Sequence, residues 1–400
     1  MIRCTSRSGG RGCLPGLRAG LYRMPAGAGV DLGASLRFMV AAVVSLFLLS
    51  SCVPASAPPT FKVGLVAPFS GRDAALGYNM LVAARLALKD WNDRGGVGGS
   101  YVEILAQDDH GEAGMGTTQA RKMALDPQVL AVIGHPFGDS ALAASSIYRE
   151  ARLAVALTGP ALRQEDLGGS PVFQMGPNAA ELARVAARFA EARGARRLAL
   201  VVEAGPGGAG ASSAASLSLA ELVGASAQQA GLQVPGGVMT VAPGGEDRLA
   251  QQLNDLKVDL VYFGGGYVEG ASVLRKMRSP GPGTIFLGGP GLAYYDFLKL
   301  AGPAAEGACY LSTAPNPAGL EGARGFVASY RAAAGTDPWP QSLQVYDAVN
   351  AMLDALDRAA RTGRNPGRQA LLQGLAGSQY AGLSGPVSFD PQGNQVAAPG

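Results

Sequence analysis

From Phe61 onward the chain alternates short apolar runs with longer amphipathic ones, and this alternation limits the fold more than any single motif does. The apolar runs are Phe61–Val66, Tyr101–Ala106, Val129–Ile133, Leu153–Leu157, Val172–Met175, Leu198–Val202, Val258–Phe263, Thr284–Leu287 and Ala308–Leu311. Between them lie helix-period stretches: Ala74–Asp93, Met115–Leu125, Ser140–Ala151, Ala179–Arg193, Ser212–Gln229, Asp247–Leu256, Glu269–Arg278, Leu320–Ala334 and Leu343–Arg361. Near-continuous apolar strands separated by helices imply parallel sheets covered on both faces. About nine such units exceed one doubly wound sheet of usual size. The expected fold class is therefore α/β, with two doubly wound parallel-sheet lobes.

Local signals agree with that reading. In Ala74–Asp93 the residues Leu81, Ala84, Leu88 and Trp91 recur every three or four positions and build one apolar stripe. Arg85, Lys89 and Asp93 face away, and Gly95-Gly96 ends the helix where a left-handed residue costs little. Hydrophobic residues make up 48% of the chain and charged residues 16%, enough for an extensive core and too apolar for wholesale disorder.

The formal charge of +3 is unevenly spread. Residues 1–51 hold six Arg and one Asp, so the remainder is slightly acidic and has no basic stripe for nucleic acid. Arg37 precedes the apolar run Phe38–Leu49, which is secretory-signal geometry and too short to span a bilayer as a mature helix. The run ends in Leu49-Ser50-Ser51-Cys52, the form of a bacterial lipobox, which makes Cys52 the expected lipidated N-terminus. Pro54, Pro58 and Pro59 with Ala55, Ser56 and Ala57 read as a tether that stands a domain off the membrane. Residues 1–35, rich in Gly and Arg, read as a long n-region or an early start rather than as fold. Loss or lipidation of Cys4, Cys13 and Cys52 leaves Cys309 alone, so no internal disulfide is expected.

Four motifs carry candidate chemistry. Gly205-Pro206-Gly207-Gly208-Ala209-Gly210 fits the dinucleotide fingerprint after a strand, but Pro206 removes an amide and the following strand brings no acid for a ribose. Asp108-Asp109-His110-Gly111-Glu112 has metal-ligand residue types, yet the only other His is His135, and a loop with a helix cap explains the motif as well. His135, Asp139 and Ser140 have the composition of a hydrolytic triad without a Gly-x-Ser-x-Gly elbow. Tyr262-Phe263-Gly264-Gly265-Gly266-Tyr267 runs from a buried strand into a Gly-rich turn, either plain core and turn or a ligand wall at a sheet's carboxyl end.

In order along the chain, further segments form a pattern: Val63-Gly64-Leu65-Val66-Ala67-Pro68-Phe69-Ser70-Gly71, Asp90-Trp91-Asn92-Asp93-Arg94-Gly95-Gly96-Val97, Asp108-Asp109 and Ala131-Val132-Ile133-Gly134-His135. Val261-Tyr262-Phe263-Gly264-Gly265, Leu274-Arg275 and Gly385-Pro386-Val387-Ser388-Phe389-Asp390-Pro391-Gln392-Gly393 continue it. With these, the chain resembles the branched-chain amino-acid-type solute-binding proteins of ABC transporters, of the periplasmic binding protein type I fold. The resemblance implies two lobes joined by a three-crossover hinge with ligand in the cleft. It implies a signal region over 1–51, a tether over 52–59, lobe one over 60–177 plus 315–383, and lobe two over 178–314 plus 384–400. It also implies a small-molecule ligand, ABC permease subunits as partners, an extracytoplasmic monomer held to the membrane only through Cys52, and no cofactor.

Carried over by motif position, the ligand-binding residues are Ser70, Leu76, Gly138, Asp139, Ser140, Thr158, Gly159, Pro160, Gly207, Tyr267, Glu269 and Pro290. Several depart from the family pattern. Gly138 stands at the serine that meets the ligand carboxylate, Gly207 at an aromatic, and Tyr267 is displaced by one residue. Pro290 stands where an acid neutralises the ligand ammonium. The family's disulfide needs Cys near Gly111 and Phe137, and both are absent. A buried ammonium without a carboxylate costs several kcal/mol. The expected ligand is thus a small polar molecule, with ordinary α-amino acids disfavoured by Pro290 and free carboxylates by Asp139. The alternatives are a sensing protein of the same fold without transport, and a hydrolase built on His135, Asp139 and Ser140.

Overall fold

The computed structural model describes residues 59–159, 161–167, 171–205, 213–278, 283–364 and 366–396. Cys52, Pro160 and Gly207, and with them the signal region and most of the tether, lie outside the described residues.

The first lobe is built on β1 (Thr60–Ala67), β2 (Tyr101–Asp108), β3 (Val129–Gly134), β4 (Ala154–Thr158) and β5 (Val172–Met175), all parallel, in the order β2-β1-β3-β4-β5. Alternation along each strand sends side chains to two separate cores. Val63 and Leu65 face helices α1 (Ala74–Asn92) and, later in the chain, α10 (Pro340–Arg361) and α11 (Arg368–Ala376). Val66 and Val132 face α2 (Ala113–Leu125) and α3 (Gly138–Glu150). The stripe on α1 is wider than its sequence implies, because Leu76, Met80 and Ala83 are buried as well, and Trp91 donates its Nε1–H to Asn350 at 2.9 Å.

The second lobe repeats the plan. Strands β6 (Leu198–Glu203), β7 (Val238–Val241), β8 (Leu260–Gly264), β9 (Ile285–Gly288) and β10 (Cys309–Tyr310) are parallel in the order β7-β6-β8-β9-β10. Helices α4 (Ala179–Ala192) and α5 (Ala214–Gln229) cover Leu200 and Tyr262 on one face. On the other, α6 (Glu246–Asp255), α7 (Tyr267–Arg278) and α8 (Tyr295–Ala301) cover Val201 and Phe263. Read from its own first strand, each sheet has the order 2-1-3-4-5. Its switch point lies beside the first strand, where ligands collect outside the carboxyl ends.

Between the lobes the chain passes at 176–178 and again at 311–316. Asn178 and Glu181 form a capping box that starts α4 directly after the first passage. Gln344 Nε2 donates to the Met175 carbonyl at 3.0 Å and the Thr313 carbonyl at 2.7 Å, so one lobe-one amide ties both passages together. Residues 384–396, assigned by the resemblance to lobe two, lie instead against lobe one. After α9 (Arg324–Ala334), α10 and α11, the hairpin β11 (Tyr380–Gly382) and β12 (Gly385–Val387) places Val387 and Phe389 in the first core. The Phe389 ring packs tilted against Phe173 with centroids 4.9 Å apart, and Gly393 and Gln395 bond the backbone of Gln174 at the hinge. Their apolar residues fit the lobe-one core, which outweighs the expected crossing.

Candidate functional site

The loops after β1 and β3 form the lobe-one rim at its switch point. The Asp108 carboxylate accepts from the backbone N–H groups of Phe69 and His110, each at 2.9 Å, and Ser70 Oγ lies 3.0 Å from His110 Nδ1. Burial works against ionisation of Asp108, but bonds from Ser70, Phe69 and His110 outweigh it and hold the carboxyl below its ordinary range. The five-residue acidic motif is thus a brace for the Ser70 loop. Among the described residues no group of three or more His, Cys, Asp or Glu is placed to hold a metal ion.

Behind the rim, Asp109, His135, Ser140 and Tyr148 form a sealed polar network, the first three at 0% exposure and Tyr148 at 1%. Ser140 Oγ donates to Asp109 Oδ2 at 2.6 Å, and His135 Nδ1 lies 2.8 Å from Ser140 Oγ and 3.2 Å from Asp109 Oδ2. His135 Nε2 lies 2.7 Å from the Tyr148 hydroxyl. Counting donors and acceptors assigns the proton to Nδ1, shared by Asp109 and Ser140, with Nε2 accepting from Tyr148. Ser140 is therefore a core hydroxyl rather than a ligand contact, and the triad-like set uses Asp109 in place of Asp139 with no path for substrate. Leu76, at 1% exposure, is likewise core and not rim. Both corrections come from helical phase: each side chain points into its lobe.

Asp139 and Gly138 lie where α3 meets the opposite lobe. Asp139 Oδ1 accepts from Ser213 Oγ at 3.0 Å and lies 3.3 Å from the Ala215 amide, at the N-terminus of α5 in the opposite lobe. A Cβ on Gly138 would sit 2.3 Å from the Ala215 Cβ, so only glycine permits α3 and α5 to approach this closely. Thr158, at the end of β4, is fully buried, and its Oγ1 has no hydrogen-bond partner. Gly159 follows in a left-handed conformation at φ +119°.

Lobe two contributes the loops after β6, β8 and β9. Tyr267 opens α7 and stacks on Tyr294 with centroids 5.0 Å apart, and Tyr294 meets Trp339 edge-on at 5.2 Å. Tyr267, like Tyr262 and Phe263, is buried in the lobe-two core, and its ring borders the gap only through Tyr294 and Arg72. Glu269 Oε1 lies 3.5 Å from Arg72 Nη1 of lobe one, and Glu269 Oε2 is buried without a partner. Pro290 begins a single 3-10 turn and brings no charge.

Glu203 and Arg72 escaped the sequence reading. Glu203 ends β6, and its Oε2 accepts from the Gly266 amide at 2.7 Å. Burial chiefly holds its carboxyl above the ordinary range, and the Glu269 charge adds to this, while Gly266 and Arg72 pull the other way. Burial also opposes the charge of Arg72, but Asp73, Glu269 and Glu203 outweigh it and raise its pKa. The Arg72 guanidinium carbon lies 6.0 Å from the Tyr267 ring centroid. A charged residue at the carboxyl end of a strand beside a switch point is the signal that could have found Glu203.

Two similar α/β lobes with their switch-point loops turned toward one another define a two-lobed, cleft-forming binding-protein class. The family model for the periplasmic binding protein matches residues 60–400, and the chain belongs to that family. A Leu/Ile/Val-binding protein homolog of Brucella melitensis is 27% identical over 340 residues, covering 83% of this chain and 86% of that one. Among solved structures, a leucine-binding protein from Thermotoga maritima superposes with a TM-score of 0.73 at 22% identity, covering 84% of this chain and 93% of that one. A solute-binding protein from R. palustris in complex with benzoate gives 0.70 at 20% identity, over 84% and 91%.

Proposed function

We propose that this chain captures a small polar solute between its lobes and presents it to ABC permease subunits outside the cytoplasm, held to the membrane by a lipid on Cys52. The observation that carries this reading is the facing of two switch points: Ser70, Arg72 and Asp139 on one rim oppose Glu203, Tyr267 and Glu269 on the other. Closure about the paired passages at the hinge would let a solute bridge both rims and favour the closed state. Among the described residues no helix is long and apolar enough to cross a membrane.

The solute is neutral or cationic. Lobe two presents two carboxylates against the single guanidinium of Arg72, Pro290 supplies no acid at the family's ammonium position, and Asp139 already fills the α5 amides. A thermal-shift panel of amides, polyamines, small acids and the three branched-chain amino acids tests the reading. A ligand present at 100 times its Kd adds about 2.7 kcal/mol to native stability. A clear shift with an amide or an amine supports the proposal, and a panel in which nothing shifts the melting temperature defeats it.

A further inference from the structure

We propose that Arg72 and Asp139 form a built-in latch that draws the two lobes together with no solute between them. Arg72 starts on the lobe-one loop before α1 and Asp139 in the first turn of α3, and both end on lobe-two groups of opposite character. Asp139 brings a negative charge to the first turn of α5, where backbone amides lack helical partners and the helix dipole favours an anion. Ser213 Oγ, which caps the same helix by accepting from the Ser216 amide at 3.4 Å, keeps its hydroxyl proton for Asp139. Arg72 brings a positive charge to Glu269, with Glu203 beside it and Tyr267 beneath. A third pair, Arg163 with Glu221 at 4.0 Å, spans the same gap farther out.

Together Arg72 and Asp139 pair with lobe-two groups across the gap while no solute is there to do so. Gly138 completes the device, because it removes the side chain that would keep α3 off α5. The latch rests on the reading of the molecule as two hinged lobes. It adds that the closed form is populated before any solute arrives, so a solute must displace a bridge rather than merely fill a gap. Arg72 is half exposed, with 54% of its side chain accessible, so its bridge is open to screening by salt.

Small-angle X-ray scattering of the solute-free, full-length protein tests this. The radius of gyration of the wild type, about 20 Å for a compact body of this size, is expected to rise in the Arg72→Ala/Asp139→Ala double variant. Each single variant should fall between the two, and about 1 M salt should expand the wild type part of the way, since the Debye length is then ~3 Å. Circular dichroism and melting of each variant separate opening from unfolding, and the salt arm needs no substitution at all. A wild-type radius equal to that of the double variant and indifferent to salt overturns the latch. In that case compaction of the wild type by a solute from the panel leaves the hinged-lobe reading standing. Failure of every solute to compact the wild type would remove that reading as well.

Discussion

Removing the Asp109 carboxylate is expected to loosen the lobe-one rim from behind. Asp109 accepts from Ser140 Oγ at 2.6 Å and the Gly111 amide at 3.0 Å, and meets His135 Nδ1 at 3.2 Å, with the Asp109, Ser140 and His135 side chains at zero exposure. In Asp109→Ala, Ser140 and His135 can still bond each other at 2.8 Å, but the Gly111 amide and the Ser140 hydroxyl proton lose their acceptor. Hydrogen bonds to a charged group contribute about 1.5–3 kcal/mol each, and here two donors lose theirs outright. The expected loss is therefore ~3–6 kcal/mol, or about 6–12 °C in Tm at roughly 2 °C per kcal/mol for a body this large. An exposed control, Asp354→Ala, breaks only the 2.9 Å pair with Arg358 and should cost under ~1 kcal/mol. The pH dependence has a definite sign. Burial alone would raise the Asp109 carboxyl, but His135, Ser140 and the Gly111 amide outweigh it, and the folded value lies below the ordinary range. Its contribution is then fully present above the unfolded pKa of about 3.9 and is lost as pH falls through the folded value. Differential scanning calorimetry of both proteins from neutral pH downward reads this directly. A melting difference under ~2 °C at neutral pH, or one that does not shrink in acid, would refute the reasoning.

Gly138→Val should hold the lobes apart, since its Cβ would lie 2.3 Å from that of Ala215; scattering should show an expanded particle, and solute affinity should fall at least tenfold, about 1.4 kcal/mol. Arg368→Met removes a guanidinium that donates to the carbonyls of Met123, Ala124, Asp126 and Val129, closing the end of α2. It should cost ~2–4 kcal/mol in urea unfolding while leaving solute affinity unchanged. Cys52→Ala should shift the protein from the membrane fraction to the soluble one, or leave it unprocessed, as read by fractionation and intact mass. Processed protein of unaltered mass that stays in membranes would contradict the lipid anchor.

What the chain reveals before folding follows what is local. The central strands were legible because both their faces are buried, so each reads as an unbroken apolar run. β7 escaped because it is an edge strand in which Val238, Met239 and Thr240 stay partly exposed, and α8 and α11 escaped because seven and nine residues hold few periods. Asp139, Tyr267 and Glu269 were placed at the cleft by motif position alone. Their partners were not legible, since Arg72 and Glu269 are 197 residues apart and meet only when two separately folded lobes face each other. The same limit explains Ser140 and Leu76, whose motif positions border the cleft while the phase of α3 and α1 turns them into cores. It explains the C-terminal segment too: Val387 and Phe389 are drawn to the lobe-one core by packing that no local pattern announces.

Solute capture between both rims is tested most directly by calorimetric titration of one solute into three proteins. The solute is the one giving the largest thermal shift in the panel, and the proteins are the wild type, Thr158→Val and Glu203→Gln. Thr158 carries a buried, unpartnered hydroxyl at the carboxyl end of β4 in lobe one, and Glu203 a carboxylate on the lobe-two rim. With a bridging solute, both substitutions should weaken binding about tenfold or more, at least ~1.4 kcal/mol, while melting temperatures without solute stay close to wild type. Unchanged affinity in either variant would mean that the solute does not bridge the two lobes. Micromolar binding of leucine, isoleucine or valine would contradict the neutral or cationic solute class.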